Sequence, residues 1–337
     1  MRASLRFAVL AALLGLVQSG SGTEAARRVE GTAREFRASL DEARRARAGF
    51  AIGDAVRKDW HYVPRERPGL RVGELDEAQG KAFRALLDAT LSDAGMRKVD
   101  GVLRLEGILR EIEGSTMRDP GRFAIAMFGE PGSGEPWGWR FEGHHLSLNL
   151  AVADGRVAVT PLFLGANPGE VRDGPDKGLR VLGEEEDVAL ALALSLDERQ
   201  RAKGLHAEAV PGDVILGPGR AASFLEPPGI EASELDEAQR AHLEQLVALY
   251  TGNLEADLRG AALDRARGAK SDLHFLWIGA TKPGEPHYWR VQGKGFAIEL
   301  DDVQGGANHV HTLWRDLEDD FGEDLLRRHR EEHHGKR

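Results

Sequence analysis

Apolar residues recur at helical spacing in two stretches of the chain, and short alternating segments follow each stretch. The first helix is predicted from the acidic start Glu74–Gln79 through Ala82–Leu91, because acidic residues in a first turn complement the helix dipole. The spacing predicts a second helix from about Val99 to Ile112. A pair of adjacent helices therefore opens this part of the chain.

Short apolar strands are predicted after this helical pair. The first two are Phe123–Phe128 and Trp137–Phe141, which are joined by a loop rich in glycine and proline. His144–Val152 is the predicted third strand, and Asp154-Gly155 is a hairpin signal that leads into a fourth strand at Arg156–Thr160. This order indicates an antiparallel meander behind the helices.

The same order of elements returns in the second half of the chain. The phrase ELDEAQ occurs at Glu74–Gln79 and again at Glu234–Gln239, and Gly134–Leu150 shares seven of its seventeen residues with Gly284–Leu300. Two helices are predicted there, at Leu235–Tyr250 and Leu254–Arg267. Three strands are predicted after them, at Leu273–Gly279, His287–Val291 and Gly295–Leu300. The sequence therefore predicts an α+β fold made by internal duplication. Each of its two units is a helical pair plus an antiparallel meander, and a pseudo-twofold axis relates them.

Five segments follow from these boundaries. They are a signal peptide at 1–22, an N-terminal helical and extended arm at 23–64, a first repeat unit at 65–183, a connecting helix and loop at 184–227, and a second repeat unit with a C-terminal helix at 228–337. The arm is expected to contain one helix over about Ala33–Ala48 and an aromatic segment at Trp60–Pro64 that packs on the main body. Further helices are expected over Glu184–Ala202 and about Leu313–His329.

The N-terminus has the three parts of a secretory signal. Arg2 and Arg6 form a positive region, Phe7–Val17 is apolar, and small residues dominate 18–22. The apolar run is short for a helix that crosses a bilayer, and an uncleaved anchor is the alternative. These features predict a periplasmic or secreted protein that has no membrane association after cleavage.

Composition narrows the partners and the chemistry. The formal net charge is −10 and no basic stripe offsets it, so nucleic acid is not expected as a partner. The chain has no cysteine, which excludes disulfides, thiolate catalysis and zinc–thiolate sites. The expected partner is a small-molecule substrate or ligand.

Histidines supply the candidate metal ligands. In a strand, alternate residues share a face, so His145, Ser147 and Asn149 are expected to lie opposite the leucines of the same segment. His309 and His311 project to one side of a second extended segment. These two with His145 predict a site for a divalent transition metal, zinc, iron, copper or manganese, whose open position would hold an activated water. His144 replaces His145 if the strand register is shifted by one.

Carboxylates near these histidines are the candidate catalytic groups. Glu299 or Asp301 would supply an oxygen ligand or a base, and Asp316 would accept a proton from a ligating imidazole or cap the last helix. Two alternatives remain open: a histidine–carboxylate pair that acts without metal, and histidines that only form structural hydrogen bonds. The leading hypothesis is an exported metal-dependent enzyme, a hydrolase or an oxidoreductase, with its site between the two halves.

Arginines suggest a second kind of site. Arg140 and Arg290 occupy matching places in the two units, and either guanidinium would bind a carboxylate or phosphate or would close its unit by an internal salt bridge. Asn149 and Arg315 are further candidate ligand-binding residues. This pattern supports the alternative of a periplasmic binding protein for a small anionic ligand, without catalysis.

Three phrases in order, PWGWRFEGHHLSLN, TPLFLGANP and ANHVHTLWRDLEDDFGEDLL, resemble the family called domain of unknown function 3500, found in bacteria and fungi. The resemblance runs from Trp60 to about His333. It implies one complete family unit without an additional fused domain. It implies no activity and no catalytic residue, since the family has no settled function.

Overall fold

The computed structural model describes residues 24–207, 209–260 and 272–335. The signal peptide predicted at 1–22 lies outside these residues. Helix α1 covers 24–39 and helix α8 includes 256–260. The other helices are α2 Glu42–Ala48, α3 Glu77–Asp88, α4 Asp93–Glu113, α5 Gly183–Ser195, α6 Glu198–Gly204, α7 Glu237–Thr251 and α9 Glu323–His333.

Strands in the described residues form one large mixed sheet. They are β1 Gly49–Phe50, β2 Leu70–Arg71, β3 Ala124–Phe128, β4 Trp137–Gly143, β5 Leu146–Ala153, β6 Arg156–Ala158, β7 Leu162–Ala166, β8 Leu205–His206, β9 Ile230–Glu231, β10 His274–Gly279, β11 His287–Gln292, β12 Phe296–Asp302 and β13 Val310–Asp316. Helices and this sheet together make the protein a mixed α/β structure.

The sheet runs in the order β1-β3-β4-β5-β7-β13-β12-β11-β10-β8, with β2, β6 and β9 paired beside it. Its pairs are antiparallel except for β1 with β3 and β8 with β10, which are parallel. The antiparallel pairing of β7 with β13 joins strands of the two predicted repeat units. The ends of four central strands, two from each half, therefore lie side by side.

Each face of the sheet is covered by a different kind of structure. Leu148 and Ile298 share one apolar cluster with residues of α3, α4, α5 and α7, so the helices pack on that face. On the other face, Tyr62, Phe163 and Leu216 belong to a second cluster made with extended segments. The aromatic segment predicted to pack on the main body lies in this second layer.

The repeated phrase ELDEAQ starts a helix in both places by the same chemistry. The Asp76 side chain accepts from the backbone N–H of Gln79, and the Gln79 side chain accepts from the N–H of Asp76. Asp236 and Gln239 form the same capping box. Since the aspartate is the cap, the helices begin at Glu77 and Glu237, after the predicted starts.

Three predicted helices have different bounds in the structure. The helix predicted over 33–48 is two helices, because Asp41 caps a new helix at Glu42. The helix predicted over 184–202 is likewise split, by Asp197 as the cap of α6. The predicted C-terminal helix was wrong in its first part, because residues from Leu313 to Asp316 belong to β13 and pair with β12, and Leu313 and Trp314 also pair with β7. No helix in the described ranges has the length and apolarity that crossing a bilayer requires.

Candidate metal centre

Three imidazoles from distant parts of the chain meet at the junction of the two halves. The Nε2 atom of His145 lies 2.8 Å from Nε2 of His309 and 3.3 Å from Nε2 of His311. His145 and His311 are buried, whereas His309 is partly exposed. The structure thus brings together the three histidines for which the sequence predicted a common metal.

A tight turn carries His145 into this cluster. The prediction that His145 lies in a strand was wrong, since β4 ends at Gly143 and β5 begins at Leu146. His145 has a positive φ of 62°, an unusual conformation for a residue with a side chain. Its backbone N–H donates to the Tyr62 carbonyl at 3.0 Å, and its carbonyl accepts from Gly165 at 2.8 Å.

Gly165 leaves room for the imidazole of His145. A Cβ atom at position 165 would lie 2.9 Å from two ring carbons of His145. Glycine is therefore required at this point of β7 if the ring is to keep its place.

Strand β13 and its neighbour position the other two histidines. His309 immediately precedes β13, and its backbone N–H donates to the Asp302 carboxylate at 2.9 Å. His311 lies within the strand, where Asp301 is its partner on β12 and Gly165 its partner on β7. Both histidines are thus fixed by a strand that is paired on its two sides.

His311 is also oriented by carboxylates through its second ring nitrogen. Its Nδ1 lies 3.0 Å from Asp213 and 3.6 Å from Asp301. Tyr62 donates its hydroxyl to the same Asp213 at 2.9 Å. Burial disfavours the imidazolium, but the hydrogen bond to Asp213 and the nearby carboxylate of Asp301 outweigh it and raise the pKa of His311 to about 9. A carboxylate that holds Nδ1–H leaves Nε2 directed at the cluster, as in histidines that bind metals.

The other two imidazoles are held neutral. Burial lowers the pKa of His309 to about 4, with a further contribution from His311. Burial also lowers the pKa of His145 well below its usual value, and the neighbouring histidines add to the effect. Neutral imidazoles have the free lone pairs that a metal ligand needs.

His144 faces away from the cluster. Its Nδ1 lies 2.5 Å from Glu106 of α4, and Arg118 contacts the same ring. The His144 ring stacks on His145 with a centroid separation of 3.6 Å. The ring nitrogens of His144 therefore contact Glu106 and Arg118, and it is His145 that lies with His309 and His311.

The spacing of the three nitrogens agrees with a shared ion. Two nitrogen ligands of a tetrahedral zinc lie about 3.3 Å apart when each Zn–N bond is about 2.0 Å. The observed separations from His145 Nε2 are 2.8 and 3.3 Å. The residues present therefore fit a divalent transition metal after small side-chain adjustments.

Glu299 supports the centre from outside the cluster. The carboxylate accepts from the backbone N–H groups of Ile215 and Leu216, at 2.8 and 2.7 Å, and from the Tyr288 hydroxyl at 2.8 Å. It thereby anchors the segment that carries Asp213. Burial raises the pKa of Glu299 to about 7, although these hydrogen bonds oppose the shift. Glu299 was predicted to supply an oxygen ligand, but its carboxylate contacts Ile215, Leu216 and Tyr288 and none of the three histidines.

Replacing Glu299 with Gln is expected to change how stability depends on pH. The folded pKa of about 7 exceeds the ordinary value of 4.5, so the wild type has its full proton-linked stability below pH 4.5 and loses it as pH rises through 7. Relative to Glu299→Gln, the wild-type free energy of unfolding in urea should fall by about 3 kcal/mol across this range. The exposed Glu198→Gln is the control. The prediction would be contradicted if the free energies of unfolding of the wild type and Glu299→Gln differed by the same amount at every pH.

Asp301 lies next to His311 with no hydrogen-bond partner for either carboxylate oxygen. The residue is fully buried, and burial raises the pKa of its carboxyl group. A buried carboxylate without donors is costly, so this position favours a proton or a cation nearby. Of the three predicted catalytic carboxylates, Asp301 is the one that the structure brings against the histidine cluster.

Three other predicted site residues have structural partners away from the histidines. Asp316 accepts from the backbone N–H groups of Glu318 and Asp319, so it stabilises the turn after β13. Arg315 pairs with Asp320 at 2.7 Å. Asn149 donates to Pro161 at 2.8 Å and to Ser147 at 3.1 Å. The orienting role proposed for Asp316 therefore belongs to Asp213.

The paired arginines are buried and bind groups of the protein, although Arg140 Nη2 and Arg290 Nε have no hydrogen-bond partner. Arg140 lies 3.2 Å from Glu142 and donates to the Val56 carbonyl at 2.9 Å. Arg290 donates to the Pro227 carbonyl at 2.6 Å. Each has a relative exposure of 1%, so neither guanidinium faces solvent to receive a ligand. Arg140 therefore forms the internal salt bridge that was predicted as the alternative to ligand binding.

Asp213 and Tyr62 are the residues of the centre that sequence reasoning missed. Asp213 follows Pro211-Gly212 in a loop, where an aspartate is usual turn chemistry and no periodicity marks it. Tyr62 also lines a cavity of about 680 Å³ with His61, Arg220 and residues from Val214 to Leu225. Tyr62 therefore lines the cavity and also contacts His311 of the histidine cluster.

Comparison with known proteins identifies the family but no relative of known activity. No curated protein and no solved structure matches the chain. A family model described as "Protein of unknown function (DUF3500)" matches residues 22–323, which is nearly the whole chain. This match confirms the resemblance in the sequence, and the chain belongs to the DUF3500 family.

Proposed function

We propose that the protein is an exported metal-dependent enzyme that hydrolyses a small-molecule substrate. The observation that carries the proposal is the convergence of three imidazole nitrogens, with separations of 2.8 and 3.3 Å, from both halves of the chain. A divalent metal held by three imidazoles lowers the pKa of a bound water toward neutrality and so supplies a nucleophile. Zinc suits a set of three imidazole nitrogens, and iron, copper and manganese are the other candidates.

The surrounding residues have distinct parts in this proposal. Asp213 and Tyr62 orient His311, and Asp302 holds the backbone of His309. Asp301 is the candidate general base, because its carboxyl group is buried beside His311 without a hydrogen-bond donor. The cavity bordered by Tyr62 is the candidate substrate pocket.

We also propose that the site arose by internal duplication, with a pseudo-twofold axis between β7 and β13. The two halves of the sheet have the same sequence of pairings. Parallel β1 with β3 matches β8 with β10, and antiparallel β2 with β3 matches β9 with β10. The repeated ELDEAQ helix starts support the same origin. Under this proposal the two halves supply ligands from different ends of their meanders, His145 from the turn between β4 and β5, and His309 and His311 from the start of β13.

Export rests on the sequence. Arg2, Arg6 and the apolar run Phe7–Val17 have the order of a secretory signal, and the absence of cysteine agrees with a chain whose stability does not depend on disulfides. We propose a periplasmic or secreted location on this basis. The binding-protein alternative has less support, because Arg140 and Arg290 are buried and bind groups of the protein.

Hydrolysis of an activated ester tests the enzymatic proposal. Zinc-loaded protein should hydrolyse p-nitrophenyl acetate faster than chelator-treated protein and faster than an equal concentration of free zinc. Readdition of metal should restore the rate, and Asp301→Asn should lower it without lowering the zinc content. Equal rates for loaded and chelator-treated protein, with zinc shown to be bound, would favour binding without catalysis.

A further inference from the structure

A second group of histidines and carboxylates lies at the C-terminal helix α9. His329 and His333 are one helical turn apart, and His334 follows. The helix brings them against Asp154, in the turn between β5 and β6, and Glu135, in the loop before β4. None of these five residues belongs to the three-histidine cluster.

The two histidine sites are well separated. His145 immediately precedes β5, and Asp154 immediately follows it. An extended strand of eight residues is about 27 Å long at about 3.4 Å per residue. One ion cannot serve both groups.

His329 has one ring nitrogen that is satisfied and one that is not. Its Nδ1 lies 2.9 and 3.1 Å from the two oxygens of Asp154, so this nitrogen carries the proton and donates it. When the ring carries only this proton, its Nε2 presents a lone pair, and this nitrogen is buried without a hydrogen-bond partner. The residue as a whole is only 3% exposed. A buried lone pair without a donor is unfavourable unless a cation or a second proton occupies the space in front of it.

Two further electron-pair donors face the same nitrogen. The Glu135 carboxylate lies 3.5 Å from His329 Nε2 and 3.3 Å from His334 Nε2. The rings of His329 and His334 have centroids 5.5 Å apart. All three ligand atoms are within 4.8 Å of one another. Two imidazoles and a carboxylate are a common ligand set for zinc.

From this geometry we infer a second divalent-metal site, formed by His329 Nε2, His334 Nε2 and Glu135. Asp154 orients His329 by accepting from Nδ1, in the arrangement usual for metal-binding histidines. The His333 ring is tilted against that of His329, with ring centroids 4.7 Å apart, and it contacts the same Asp154. The matched part of the family model ends at residue 323, before all three histidines.

Such an ion would fasten the C-terminal helix to the sheet. The apolar contact beneath α9 is small: Leu325 and Leu326 pack on Ala151, Ala153 and Ala158. A metal that joins α9 to the loop before β4 adds a connection that the apolar contact lacks. Its expected role is structural, because the site ties separate elements together.

Zinc titration of full-length protein in the His309→Ala/His311→Ala background isolates the second site. With a fluorescent zinc chelator as competitor, one equivalent should bind, and Glu135→Gln/His334→Ala should weaken it at least tenfold. Both residues of this second pair are more than half exposed at the side chain, so their replacement spares the core. His242→Ala, outside these clusters, is the matched control.

Hydrogen exchange supplies an independent measurement on otherwise unmodified protein. Zinc should slow amide exchange in residues 323–333 of the wild type and should have no such effect in Glu135→Gln/His334→Ala. The site would be overturned if that variant bound zinc as tightly as its parent and if zinc slowed its amide exchange as much as in the wild type. Neither result depends on the three-histidine centre.

Discussion

The double variant His309→Ala/His311→Ala should lose the metal of the central site. Two of the three converging nitrogens disappear, and His145 alone holds zinc too weakly to retain it. Since removal of a single outer partner already costs about 10- to 100-fold in affinity, we expect a loss of more than about 100-fold here. Elemental analysis after dialysis against a weak chelator should show one equivalent fewer than in the wild type.

His206→Ala/His242→Ala is the matched control for this experiment. It removes the same number of imidazoles from positions outside the cluster and should retain the wild-type metal content. Any metal that remains in His309→Ala/His311→Ala is expected at the helix α9 site, and Glu135→Gln/His334→Ala should remove it. Metal content and affinity equal to those of the wild type in the first double variant would refute the assignment of the ligands.

Asp213→Asn should weaken metal binding without removing the site. The asparagine has nearly the same shape but no charge, so it no longer stabilises Nδ1–H of His311 as a carboxylate does. We expect the zinc affinity to fall about 10- to 100-fold while the stoichiometry stays the same. Competition with a chelator of known affinity gives both quantities.

Two further variants distinguish orientation from other effects. Tyr62→Phe removes the hydroxyl that donates to Asp213 and should give a smaller loss of affinity in the same direction. Asp173→Asn, in an exposed loop, controls for the change in net charge. An unaltered affinity in Asp213→Asn would mean that the contact with His311 is only structural. A loss of stoichiometry would make Asp213 itself a ligand.

Local patterns predicted much of this fold. Alternation in the segment around Leu146–Leu150 correctly separated the leucines, which contact the helices, from Ser147 and Asn149. The ELDEAQ phrases marked two helix starts because capping is a contact between residues three positions apart. Contacts between residues so close in the sequence can be predicted without knowledge of the tertiary structure.

Features that depend on distant pairing were not predicted. Leu313 and Trp314 have apolar spacing that continues into α9, yet β12 and β7 pair with them on both sides and impose a strand. The turn between β4 and β5 contains Gly143, yet the positive φ falls on His145, which the sequence did not indicate. Asp213 lies 98 residues from His311, so only the folded chain reveals their contact. The three ligands could be chosen from their chemistry, whereas the residue that orients them could not.

The pairing of β7 with β13 has a consequence for when the centre can form. His145 and His309 are separated by 164 residues, and His309 immediately precedes β13, the strand in which His311 lies. Contacts between such distant residues form late, after the entropic cost of closing a long loop has been met. If the centre binds a metal as proposed, the ion enters only after the last strand has been made. The supply of metals in the compartment where folding is completed would then determine which element is bound.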